Sequence, residues 1–107
     1  MRRSRPVLLG CCAALLGAAS GAHAQGADAA RISLLYAQTC MACHTSAGSG
    51  APQAGDAQAW RARVEQGMDA LLEHTIDGRG GMPPLGSCMD CSEADFEGLI
   101  RFMSGAK

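Results

Sequence analysis

Two thiols and an imidazole fall within five consecutive residues, Cys40-Met41-Ala42-Cys43-His44, and a second Cys-x-x-Cys pair, Cys88-Met89-Asp90-Cys91, lies near the end of the chain. In a chain of 107 residues this density of sulfur constrains the fold more than any hydrophobic pattern. Domains so small bury a modest core and often lean on disulfides, metals or cofactors. Large core groups are scarce as well, since Tyr36, Trp60, Phe96 and Phe102 are the only aromatic residues. Something other than side chains is expected to fill the middle.

The N-terminus points to the compartment. Arg2, Arg3 and Arg5 make a basic start, Val7 to Ala19 is apolar, and Ala22-His23-Ala24 places small residues around a cleavage point, which are the three parts of a secretory leader in order. The apolar run is shorter than the about 20 residues a spanning helix needs, so no stable membrane insertion is expected after cleavage. Leu8-Leu9-Gly10-Cys11 mimics a lipoprotein processing site, but little apolar sequence precedes Cys11. Residues 1–24 are therefore read as a cleaved signal peptide and 25–107 as one domain, periplasmic if the host has two membranes. From Gln25 onward six Lys and Arg stand against ten Asp and Glu, a formal charge of minus four. No basic footprint for nucleic acid is present.

Periodicity along the remaining chain is helical throughout. Ile32, Leu35, Tyr36 and Thr39 share one helical face, and extending it brings Cys40 and Cys43 to the same side. Residues 45–55 are a Gly-, Ser-, Ala- and Pro-rich loop. Asp56 is placed to cap a helix carrying Trp60, Val64 and Met68, with a break or bend at Gly67. Met68, Leu71, Leu72 and Ile76 continue an apolar stripe to a stop at Asp77-Gly78. Residues 79–89 hold several glycines and two adjacent prolines and are expected to form an ordered loop. Ser92 with Asp95 resembles a capping box, and Phe96, Leu99, Ile100 and Met103 make the clearest amphipathic stripe in the chain. The expected class is all-α.

Cys-x-x-Cys-His is the pattern of covalent haem attachment, in which two thiols add to two vinyl groups and the adjacent imidazole reaches the iron. The second nitrogen of His44 then needs an acceptor to fix the tautomer, and the Pro52 carbonyl in the next loop is the best candidate. For the sixth iron position a thioether would favour the reduced state. Met41 lies inside the attachment loop, Met68 and Met103 lie on packing stripes, and Met89 sits between two cysteines. Met82 remains, in Gly80-Gly81-Met82-Pro83-Pro84, where glycines allow close approach and prolines stiffen the chain beyond the sulfur. His74 is the other conceivable ligand, but it sits beside Glu73 off the Leu71 and Leu72 face, and surface placement is expected.

Cys88 and Cys91 lack a histidine directly after them, so no second haem is expected. In an oxidising compartment they would close a disulfide that ties the Met82 loop to the last helix. Two rival readings use the same residues. One is an exported zinc module built from Cys40, Cys43, Cys88 and Cys91. The other keeps the haem but lets a small ligand displace Met82.

With these residues assembled, the chain resembles the class I c-type cytochromes, and among them the cytochrome c5 family. The likeness rests on Cys40-Met41-Ala42-Cys43-His44, Gly50-Ala51-Pro52 with Gly55-Asp56, Gly81-Met82-Pro83-Pro84, and Cys88-Met89-Asp90-Cys91-Ser92, spanning about residues 29–103. It implies about four helices around one covalently bound haem c, with the first and last helices crossing beside it. By the same resemblance Cys40 and Cys43 hold the haem, His44 and Met82 are its axial ligands, Pro52 supports His44, and Cys88 pairs with Cys91. Trp60 matches an aromatic position near a haem edge, where it either bonds a propionate or packs in the core. Leu85 departs from the pattern, since relatives often carry a basic residue there. The implied function is one-electron carriage in a respiratory chain, without catalysis, between redox proteins such as a membrane complex or a soluble oxidoreductase.

Overall fold

The computed structural model describes residues 20–107, with side chains from residue 28 onward. The basic and apolar parts of the expected leader, with Cys11 and Cys12, lie outside the described residues. Helix α1, Ser20–Leu35, runs through a π turn, Tyr36–Cys40, into the short α2, Met41–His44. The π turn was not expected from periodicity, which extends one uniform helix to Cys43. Thr39 supplies a local reason. Its hydroxyl donates to the Leu35 carbonyl at 2.8 Å, the kind of side-chain bond that competes with the helical ladder. The Met41 N–H reaches back to the Tyr36 carbonyl instead, which changes the angle at which Cys40, Cys43 and His44 leave the helix.

Helix α3, Ala57–Val64, starts where Asp56 accepts from the backbone N–H groups of Gln58 and Ala59 at 3.1 and 3.0 Å. It ends before Gly67, whose φ of 92° separates it from α4, Met68–Asp77. Gly78 then turns the chain at φ 83°, and a Cβ there would lie 2.9 Å from the Met82 carbonyl oxygen and from the Pro84 nitrogen. Both backbone angle and space therefore require glycine at that point. A 3₁₀ turn, Pro84–Ser87, leads to α5, Glu93–Ser104. Both halves of the capping box are made, with the Ser92 hydroxyl accepting from Asp95 N–H and Asp95 accepting from Ser92 N–H. Counting α1 to α2 as one run, four helices form the architecture, and among the described residues there is no sheet, only an isolated bridge between Arg79 and Met82.

The first run crosses α5 closely. Gly98 permits this, since a Cβ there would stand 2.6 Å from Ile32 Cδ1. Arg31 donates to both carboxylate oxygens of buried Asp95 at 2.9 Å, pinning the crossing. Leu71, Leu72, Cys88, Phe96, Leu99 and Ile100 form the buried cluster, flanked by Ile32, Leu35, Tyr36 and Leu85. Each such apolar side chain stabilises by about 1.5–3 kcal/mol when fully buried. Leu71, Phe96, Leu99, Ile100 and Met103 also line a cavity that opens at the surface, so one side of the core faces it.

Candidate haem site

The cavity measures about 640 Å³, within the roughly 300–1,000 Å³ of pockets that enclose ligand-sized molecules. It gathers the Cys40–His44 segment, Pro52, Trp60 and the distant Met82 onto one wall or another. Both thiols are free, Cys40 half-buried and Cys43 exposed. Burial pushes the Cys40 thiol above its ordinary range, opposed in part by a hydrogen bond from Thr39.

His44 is only 7% exposed. Its Nδ1 lies 2.8 Å from the Pro52 carbonyl oxygen. That oxygen can only accept, so Nδ1 carries the proton and Nε2 keeps the lone pair a metal would take. The loop that presents Pro52 is itself anchored. Ala54 N–H donates to the His44 carbonyl at 2.7 Å, Ser49 Oγ to the Cys43 carbonyl at 2.7 Å, and Gly55 N–H to the Met103 carbonyl at 2.8 Å.

Trp60 lies nearly parallel to the His44 ring, with centroids 5.8 Å apart and planes 20° from parallel. Its indole N–H donates to the Gln53 carbonyl at 2.9 Å. Of the two expected roles for Trp60, this bond to the backbone favours packing, because the indole has a single donor. It lines the cavity as a packing residue that backs His44. Gln53 was missed by the sequence reading, and only its place beside Pro52 could have suggested it.

Met82 reaches the cavity from the far loop. The N–H and carbonyl of Arg79 exchange hydrogen bonds of 3.0 Å with those of Met82, closing a tight turn around Gly80-Gly81. Beyond it, Leu85 and Ser87 hold φ values of 60° and 64°, left-handed conformations that cost non-glycine residues about 1 kcal/mol each. Cys88 and Cys91 are joined by a disulfide, and buried Cys88 donates its N–H to the Leu85 carbonyl at 2.8 Å. Of the other methionines, Met41 and Met89 are exposed and Met68 packs against the core. Met103 also lines the cavity, but its carbonyl is bonded to Gly55, next to the loop that supports His44.

His74, expected at the surface, is half-buried at the rim of the cavity, where its Nε2 accepts from Arg79 Nη1 at 2.7 Å. The four-cysteine zinc reading fails, because Cys88 and Cys91 bond to each other and no three His, Cys, Asp or Glu side chains converge among the described residues.

A helical fold that brings a Cys-x-x-Cys-His segment to a cavity of this size is the layout of a c-type cytochrome, and comparison with known proteins agrees. Residues 27–103 match the family model described as cytochrome c oxidase, cbb3-type, subunit III. Cytochrome c5 of Ectopseudomonas mendocina is 39% identical over 90 residues, covering 82% of this chain and 98% of that protein. Cytochrome c5 of Azotobacter vinelandii is 41% identical, covering 66% and 88%, and cytochrome c-555 of Chlorobaculum tepidum is 37% identical, covering 87% and 92%. A chain in the crystal structure of an electron-transfer complex of nitrite reductase with cytochrome c superposes with a TM-score of 0.62 at 38% identity, over 68% of this chain and 89% of that one. The chain belongs to the cytochrome c5 family of class I c-type cytochromes, whose members carry covalently bound haem c and transfer electrons rather than act as enzymes.

Proposed function

We propose that this protein is a periplasmic one-electron carrier of a respiratory chain, exported by residues 1–24 and working as the domain 25–107. In this reading Cys40 and Cys43 hold the haem by thioether bonds, and His44 and Met82 are its axial ligands. Bound haem iron supplies a one-electron couple, ferric to ferrous. The chain's own contribution is to fix ligands and exclude water. Pro52 aims His44 Nε2, Trp60 keeps the ring from turning, and the stiff Met82 loop holds a thioether at fixed reach. The observation that carries the reading is the His44–Pro52 hydrogen bond of 2.8 Å at the wall of a cavity that Cys40, Cys43 and Met82 also line.

A soluble oxidoreductase is the partner this reading favours, supported by the related cytochrome c that forms an electron-transfer complex with nitrite reductase. No helix among the described residues is long and apolar enough to cross a membrane. Half-buried Leu85 stands where a basic residue would steer an anionic partner, so docking here should depend weakly on salt.

Met82→Ala tests the ligand assignment. The haem should stay attached, the potential should fall, and the reduced protein should bind carbon monoxide at neutral pH. An unchanged spectrum and potential would exclude Met82 as the ligand.

A further inference from the structure

The charge lining the cavity is opposite in sign to that of the domain. Although acidic residues outnumber basic ones from Gln25 onward, no Asp or Glu lines the cavity among the described residues, whereas Arg63, Arg79 and His74 do. Arg31 and Arg101 pair with Asp95 and Glu97, but Arg79 has no carboxylate within salt-bridge distance among the described residues. It is nevertheless held. Its Nη1 donates to His74 Nε2 at 2.7 Å, and its backbone is locked to Met82 by two hydrogen bonds of 3.0 Å. Because His74 accepts with a lone pair, it adds no negative charge. The guanidinium is therefore oriented without being neutralised, and most of its five N–H donors stay free. Arg63 differs, since it turns back to donate to the Ala59 carbonyl of its own helix at 2.7 Å.

An uncompensated guanidinium at the exposed rim of the cavity, oriented by one hydrogen bond, is a receptor for a planar anion, above all a carboxylate. The haem edge opposite its vinyl groups bears two propionate carboxylates. We infer that Arg79 receives a haem propionate and that His74 is the residue that positions it, an inference that rests on the haem reading of the cavity. A cation there opposes further positive charge on the iron, so Arg79 favours the ferrous state. The Asp77-Gly78 helix stop serves the same end, because it folds Arg79 back over His74 on the last turn of α4.

The test uses the holoprotein carrying haem labelled with ¹³C at the propionate carboxyls, with redox-induced infrared difference spectra and potentiometry as readouts. Arg79→Gln should move the labelled carboxylate band and shift the ferric/ferrous equilibrium several-fold toward ferric at a fixed solution potential. Arg79→Lys should restore part of both. His74→Phe should move both in the same direction, and His74→Gln, which keeps an acceptor, should restore them. Arg61→Gln removes the same charge from a residue outside the cavity lining and should leave the labelled band in place. The far-red thioether-to-ferric band, recorded on every protein, reports Met82 ligation separately. Its absence in the unsubstituted protein would overturn the His44/Met82 reading. A labelled band unmoved in Arg79→Gln, with the far-red band intact, would overturn the propionate assignment alone.

Discussion

His44, at the end of α2, and Met82, in a loop, face one cavity and are held by different forces. Around His44 the restraint is hydrogen bonding: successive carbonyls of Pro52 and Gln53 accept from the His44 ring and the Trp60 indole, and Ala54 and Ser49 tie the loop back to the helix end. Around Met82 the restraint lies in the backbone itself, a tight Arg79–Met82 turn, two prolines, left-handed Leu85 and Ser87, and the Cys88–Cys91 disulfide. The difference suits the axial ligation proposed for the two residues. An imidazole needs one tautomer and one ring orientation, which hydrogen bonds specify. A thioether has no proton to direct and binds weakly, so under the proposed ligation the stiffness of its loop would have to keep it in place.

Substitutions on the two sides should therefore fail differently. His44→Ala removes the proposed ligand that α2 delivers, and little or no haem-bearing protein should be recovered from a host with cytochrome c maturation. Normal recovery would mean that the two sides are equivalent. Cys88→Ser should cost about 2 kcal/mol, since the closed loop is short, or roughly 10 °C in Tm for a domain of this size. The Met82 far-red band should weaken before the His44 side is disturbed. A melting temperature equal to that of the parent would show that the disulfide does not brace this loop.

Trp60→Phe keeps the ring against His44 but removes the N–H donated to Gln53, and should cost about 1 kcal/mol, with the thioether band unaffected. A change in that band would mean that the two loops are coupled. The smallest effect is one of pH. The Arg31 guanidinium, and then the Ser92 N–H, hold the Asp95 carboxyl well below the usual carboxylate range. A lowered folded-state value gives stability that is present above the unfolded value, about 3.9, and lost as pH falls below it. Tm should drop more steeply in acid for the parent than for Asp95→Asn. Because Arg31 and Asp95 join the attachment helix to α5, acid should loosen both sides together.

Legibility in the sequence divides along similar lines. Features set by neighbouring residues were legible: the Asp56 cap, the Ser92/Asp95 box, the stop at Gly78 and the Phe96–Met103 stripe each depend on side chains a few positions apart. The Cys-x-x-Cys-His pattern likewise carries its chemistry in five residues. Features that depend on tertiary closure were hidden. Thr39 gives little warning that its hydroxyl will take the Leu35 carbonyl and open a π turn. Leu85 and Ser87 are not residues that announce a positive φ, and the turns they make are imposed by the flanking prolines and the disulfide. For His74 the helical face points to solvent, and its place at the cavity rim beside Arg79 shows only in the fold. For Trp60 the family likeness located the ring, but only the fold showed which carbonyl its N–H meets.

The most direct test of covalent haem attachment is the visible spectrum of the protein exported in a host with cytochrome c maturation, before and after dithionite, with extraction into acidified acetone as the final step. Sharp reduced bands, with colour that stays on the polypeptide after extraction, are expected if Cys40 and Cys43 hold the haem. A colourless protein, or haem that leaves with the acetone, would contradict it.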